Sequence, residues 1–215
     1  MIAKAIEENN GILRLKPAWV ARSYLPPGKR LGLDEKDYNV GGRGWISERW
    51  LGSTTKADNA VGPEDEGLSY LEIDKIKDEV SLKKVIDVAG DLIMGKEYFK
   101  THKGLGRLAK IFDYASRIPF HFHQMKEDAV LVGANSKDEA YFYPEGYELG
   151  KNPETFFGVH PYINEQKKYD LLLPYLENWN SDLILRHSKA YSNIQGEGFL
   201  LQSGILHAPG TALTI

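Results

Sequence analysis

Short runs in which apolar and polar side chains alternate, most of them bounded by glycine or proline, recur along this chain, and that period of two points to a sheet-based fold. Residues 11–20, GILRLKPAWV, alternate and run into the turn LPPGKRLG; a strand is predicted at Trp45–Leu51 between glycine-rich flanks. IPFHFH (118–123), EAYFYP (139–144), DLILRH (182–187) and GFLLQSGILHAPGTALTI (198–215) complete the strand set. Two stretches break the alternation. In 78–95, Leu82, Val85, Ile86, Ala89, Leu92 and Ile93 recur at helical spacing, with Ser81 placed to cap the start and Gly95 the end. A second helical pattern covers 164–179, with Tyr169, Leu172, Leu173 and Leu176 on one face and Pro174 marking a kink or a junction of two helices. Strands interrupted by helices predict a mainly β fold, a β-sandwich carrying helical insertions at about 74–100 and 164–179 rather than a βαβ repeat. Residues 53–69 are polar and rich in breakers, the pattern of a functional or mobile loop.

Composition narrows the chemistry. The 215 residues suffice for a core without covalent staples, and there is no cysteine, which removes disulfides, iron–sulfur clusters and thiolate zinc sites. Any metal must be held by nitrogen and oxygen, and six histidines are available. The net charge is −3 with Lys and Arg scattered, so no electrostatic footprint for nucleic acid is present. No apolar run reaches the roughly 18–20 residues that span a bilayer, and MIAKAIEENNG lacks the apolar centre of a secretory signal. The expectation is a soluble, cytoplasmic protein.

The histidines are patterned. Alternation in Pro119-Phe120-His121-Phe122-His123 sends both imidazoles to one face and both phenyl rings to the other, where they are expected to anchor the strand in a core. By the same parity Lys137, Glu139 and Tyr141 share a face, bringing a carboxylate that could serve a divalent cation beside two imidazoles. Further on, the glycine-rich turn ending at Gly204 delivers His207 onto a strand.

These elements resemble the paired motifs of the cupin superfamily: a His-x-His followed by a glutamate, then a glycine-rich turn leading to a third histidine, with Gln202 where proline is usual. The resemblance implies a jelly roll holding one divalent metal on three histidines and one carboxylate, here His121, His123, Glu139 and His207. Glu127 competes with Glu139 for the carboxylate position; Glu139 is preferred because it opens a clear strand, whereas Glu127 sits in QMKEDA, a turn or single helical turn. Zinc is the first choice of metal, with manganese, iron and nickel as alternatives.

Within that superfamily, the order of several segments resembles the type I mannose-6-phosphate isomerases: SERWLG (47–52), the stretch 105–119, His121-Phe-His123, Lys137-Asp-Glu139 and Gly204-Ile-Leu-His207-Ala, together spanning about 40 to 213. The resemblance implies a metal-dependent aldose–ketose isomerase acting on a sugar or sugar phosphate, with Lys137 facing substrate and Lys110 and Glu48 in pocket-lining segments. Three departures stand out. His121 replaces a glutamine, the first forty residues do not resemble the family's opening, and Ile215 falls where the family continues into further strands, one bearing an arginine. The chain is therefore expected to be a single cupin-like domain, 1–215, whose jelly roll is completed by a C-terminal segment or another polypeptide, such as a second copy in a homodimer, or is left open at its C-terminal edge. A non-catalytic sugar-binding cupin and an iron-dependent cupin dioxygenase are the competing functions.

Other conspicuous residues have plainer readings. His102 is expected in a solvated loop, His160 at a turn, His187 on a strand, Trp45 and Trp50 in a core, and 63–66 in a solvated acidic loop; Gly41-Gly42-Arg43-Gly44 is only a weak phosphate-loop pattern.

Overall fold

Every strand pairing in the computed structural model, which describes residues 2–72, 79–178 and 180–215, is antiparallel, as the alternation predicts. The chain divides into two compact units, Met1–Phe112 and Asp113–Ile215.

The first unit contains helix α1 (Ile2–Glu8), strands β1 (Ala18–Arg22) and β2 (Trp45–Leu51), helices α2 (Leu82–Met94) and α3 (Lys96–His102), and strand β3 (Ala109–Phe112). The strands form one sheet in the order β1-β2-β3. Strand β2 occupies the residues its pattern predicts. The β1–β2 register slips at Ser47: Ala21 pairs with Ile46, but its neighbour Val20 pairs with Glu48. This bulge lets β2 serve two cores. Ile46 packs with Ala21 and Tyr38, whereas Trp50 packs with Ala18 and Val20. Trp45 lies at the exposed end of the strand, so only Trp50 meets the expectation of a core tryptophan.

Helix α2 is capped as predicted by Ser81, whose hydroxyl accepts from Lys84 N–H at 3.2 Å, and ends at Gly95. Leu82, Val85 and Ile86 are buried, but Ala89 leaves helical geometry (φ −142°, ψ 30°), and the shifted phase turns Leu92 outward, contrary to its predicted place on the buried face. Beyond the break, Phe99 of α3 lies on Gly90, where a Cβ would come within 2.3 Å of the ring. The predicted helix start at Asp78 and the insertion start near 74 lie outside the described residues.

The loop 53–69 is tied down. Ser53 and Ser69 exchange hydrogen bonds, Ser53 N–H to Ser69 Oγ and Ser69 N–H to Ser53 O, each 2.9 Å. Glu66, read as part of a solvated acidic run, is buried and accepts from Ala21 N–H, Asn59 Nδ2 and Arg43. A buried carboxylate persists only when paired in this way.

The second unit contains α4 (Lys126–Leu131), β4 (Glu139–Phe142), β5 (Glu154–Val159), α5 (Pro161–Glu165), α6 (Leu173–Asn178), β6 (Ser188–Ser192), β7 (Gly198–Leu201) and β8 (His207–Ala208). One sheet pairs β4 with β7; the other has the order β6-β5-β8. Strand β5 bulges at Gly158, whose φ of +68° suits glycine. Phe120, Ile163, Leu172, Ile184 and Ala208 form the core here. The helical pattern at 164–179 resolves into three pieces: the end of α5, a 3-10 turn at Tyr169–Leu171, and α6. Pro174 stands in the first turn of α6, where its missing N–H breaks no helical bond. Of the predicted face only Leu172 is buried, and Trp179 lies outside the described residues.

Two predicted strands take other forms. DLILRH is a 3-10 helix, Asp182–His187, because the Ser181 hydroxyl accepts from Leu183 N–H at 3.1 Å and caps it. In IPFHFH the backbone pairs at His121 alone, as a bridge to His207. Phe120 is buried as expected, but Phe122 is 54% exposed, because the chain leaves the pairing and turns into α4.

Candidate metal centre

His207 sits at the centre of the site because its strand is paired on both sides. Phe157 of β5 is its partner on one edge. On the other, His121 N–H donates to His207 O at 3.0 Å and His207 N–H to His121 O at 2.7 Å. Gly204 N–H, in a turn where φ is +84°, donates to His123 O at 2.7 Å and holds the His-x-His segment in place. Main-chain pairing thereby gathers imidazoles from two distant stretches of the chain. Their ring centres lie 4.3 to 5.5 Å apart, and one ligand nitrogen from each falls within 4.8 Å of the others.

The backbone also fixes which nitrogens face inward. His121 Nδ1 lies 2.7 Å from Pro119 O, and His207 Nδ1 lies 2.8 Å from Ile205 O. In each case a carbonyl two residues earlier takes the Nδ1 proton, which leaves Nε2 as the ligand atom. Sequence reasoning missed these two carbonyls; their signal is that both histidines follow a short extended segment entering the site. His207 Nε2 is buried without a hydrogen-bond partner. His121 is held well below its ordinary pKa, at about 4, chiefly by burial and also by its two imidazole neighbours, and is therefore a neutral ligand at pH 7.

Glu139 opens β4 and is largely buried. Its Oε1 lies 3.2 Å from His123 Nε2 and its Oε2 lies 3.4 Å from His207 Nε2. Lys137 Nζ is 2.5 Å from Oε1, and the Tyr141 hydroxyl donates to Oε2 at 2.9 Å. Burial alone would raise the Glu139 pKa, but contacts with His123, His207 and Lys137 outweigh it and hold the carboxyl well below the usual range. Burial, with the Glu139 charge, pushes the Tyr141 hydroxyl well above its ordinary value.

These residues fit a divalent ion. Nitrogen and carboxylate ligands at bonds of about 2.1 Å around a tetrahedral ion stand roughly 3.4 Å from one another, close to the 3.2 Å that Glu139 Oε1 keeps from His123 Nε2. The buried, unpartnered Nε2 of His207 is the kind of lone pair that a cation satisfies. Three imidazoles and a carboxylate suit zinc, manganese, iron or nickel and exclude no member of that set.

The other sequence-predicted residues lie as follows. Glu127 is exposed in the first turn of α4. Lys137 joins the cluster through Glu139 and reaches 3.4 Å from His123 Nε2. Glu48 and Lys110 are brought together with each other, within the first unit, on neighbouring strands β2 and β3. Glu48 is fully buried; it accepts from Arg22 Nε and Nη2 at 3.2 and 3.1 Å, Lys110 Nζ at 3.3 Å and Trp50 Nε1 at 2.7 Å. His102 is exposed but belongs to α3, where it stacks on Tyr98, rather than to a loop. His160 precedes α5, as a turn residue would. His187 ends the 3-10 helix, with its Nδ1 2.6 Å from the Tyr162 hydroxyl.

No family model matches the sequence, and no curated protein matches it. Solved structures do match. A mannosephosphate isomerase homologue from Archaeoglobus fulgidus superposes with a TM-score of 0.65 at 15% identity, over 93% of this chain and 57% of its own. The mannose 6-phosphate isomerase from Bacillus subtilis gives 0.57 at 14%, over 94% and 56%. The enzyme from Salmonella typhimurium, solved bound to its substrate and a zinc atom, gives 0.63 at 11%, over 93% and 66%. The chain thus spans a little over half the length of the first two. Its fold is the one these mannose-6-phosphate isomerase structures share.

Proposed function

We propose that this chain carries the metal centre of an aldose–ketose isomerase acting on a sugar or sugar phosphate, with His121, His123, Glu139 and His207 as ligands and zinc as the metal. The observation that carries this reading is the convergence of three imidazoles at metal-ligand spacing, with the Glu139 carboxylate against two of them, on a fold shared with proteins of that activity. A bound divalent ion would supply Lewis acidity to the carbonyl and the neighbouring hydroxyl of the sugar. The chain's own groups would do the rest. The Nδ1 bonds to Pro119 and Ile205 keep two imidazoles aimed inward. Lys137, half exposed and seated on Glu139, presents an ammonium to substrate oxygens and can hold or release a proton at Nζ. Lys110 and Glu48 are assigned supporting roles. The Glu48 carboxylate fixes the Lys110 and Arg22 cations on the strands of the first unit.

A fold likeness does not carry an activity with it, so the test is direct. The zinc-loaded protein is assayed with a panel of hexoses and hexose 6-phosphates, with coupled detection of the ketose. The reading expects turnover of at least one pair, abolished by chelation and restored by metal. Binding of sugar without interconversion would replace it with a non-catalytic sugar-binding cupin. Bound iron with oxygen uptake would replace it with a dioxygenase.

A further inference from the structure

Glu139 has two oxygens, and they have different neighbours. Oε1 meets Lys137 and His123; Oε2 meets the hydroxyl of Tyr141 and the ring nitrogen of His207. Tyr141 lies two residues along β4, on the same face, and its side chain is buried at 8% exposure. Its ring stands edge-on to His207, with centres 6.1 Å apart. One buried side chain therefore touches two of the four proposed ligands, through its hydroxyl on the carboxylate and its ring on the imidazole.

Resting on the proposed metal site, we infer that Tyr141 is a positioning residue that makes Glu139 a one-oxygen ligand. A phenol that donates to Oε2 occupies a lone pair that a two-oxygen carboxylate would direct at the ion. Oε1, which Lys137 and His123 also meet, then remains as the ligand oxygen. A carboxylate held to one oxygen favours the low coordination numbers of zinc and its neighbours. Larger ions such as calcium take six to eight oxygens and often both from one carboxylate. Tyr141 in this way favours small transition ions over large ones, and it does so from outside the ligand set. Outer groups that orient a ligand are worth about 10- to 100-fold in metal affinity.

The test compares the wild-type protein with Tyr141→Phe, which keeps the ring against His207 and removes only the hydroxyl. Zinc affinity is measured by competition with a chromogenic chelator, and the cobalt(II)-substituted protein is read by visible absorption. The inference expects zinc binding to weaken about 10- to 100-fold. It also expects the cobalt bands to lose intensity as the carboxylate adds its second oxygen and coordination rises. In a Glu139→Gln background, the same Tyr141→Phe change is expected to alter zinc affinity by less than about threefold, because there is no carboxylate left to restrain; circular dichroism checks that each variant folds. Unchanged affinity and unchanged cobalt bands in Tyr141→Phe would overturn the inference while leaving the metal site intact. An equal loss in both backgrounds would overturn it too, since Tyr141 would then act through packing. If the wild-type protein binds neither zinc nor cobalt, the metal site itself fails.

Discussion

Each unit of this protein buries a glutamate on a strand, and the two are set up alike up to a point. Glu48 begins Glu-Arg-Trp and Glu139 begins Glu-Ala-Tyr, so each carboxylate receives a hydrogen bond from an aromatic side chain two residues further on: Trp50 Nε1 at 2.7 Å in one case, the Tyr141 hydroxyl at 2.9 Å in the other. Each also has a lysine, Lys110 or Lys137. The difference lies in what fills the remaining positions. Around Glu48 it is the Arg22 guanidinium, a permanent cation that grips both oxygens. Around Glu139 it is a set of imidazoles, one with a buried nitrogen that has no hydrogen-bond partner. Charge at Glu48 is balanced by the protein alone. At Glu139 a single lysine faces the carboxylate, and, Tyr141 aside, the other neighbours are imidazole nitrogens of the kind that bind a metal cation. A buried carboxylate is thus a strut or a ligand according to whether its neighbours are arginine or histidine.

That contrast can be broken in order of expected effect. His207→Ala removes the imidazole at the centre of the site while keeping its main-chain pairing, and zinc affinity is expected to fall by more than ~100-fold, beyond what loss of an orienting group costs; equilibrium dialysis with metal analysis reads it. Glu48→Gln should do the reverse. It leaves Arg22 and Lys110 without their counter-ion, and unfolding by urea is expected to show a loss of about 3–5 kcal/mol, with zinc stoichiometry unchanged. If Glu48→Gln also emptied the metal site, the two carboxylates would not have separate roles.

A subtler separation comes from pH. His121 titrates near 4 in the folded chain against an ordinary 6.5. Between those values the unfolded chain binds a proton that the folded chain refuses. The contribution of His121 to the stability of the metal-free protein is therefore complete above about 6.5 and is lost as pH falls toward 4. Metal binding, which also needs the neutral ring, should steepen that slope. Thermal melts across that acid range and up to neutrality, with and without zinc, should converge at the acid end. His121→Phe should flatten the metal-free curve.

The sequence made much of the site legible because strand parity is a strong rule. It placed His121 with His123, and Lys137 with Glu139 and Tyr141, before any contact was known. Fold class followed from the same alternation and from the order of the cupin-like segments. Less visible was anything decided by a single hydrogen bond. Ser181 turned DLILRH from a strand into a 3-10 helix, and the break at Ala89 put Leu92 on the wrong side of α2. Glu66 reads as one acid among several in a polar loop, and only its partners from 21, 43 and 59 explain its burial. Phe122 obeys the parity that Phe120 obeys, yet it escapes the core because pairing stops at His121. Long-range partners of this kind leave no periodic trace in one sequence.

The most direct test is a crystal grown with zinc and measured on both sides of the zinc absorption edge. The account predicts one anomalous peak bonded to Nε2 of His121, His123 and His207 and to a single oxygen of Glu139. A zinc ion bound elsewhere, with these three imidazoles left unligated, would contradict it.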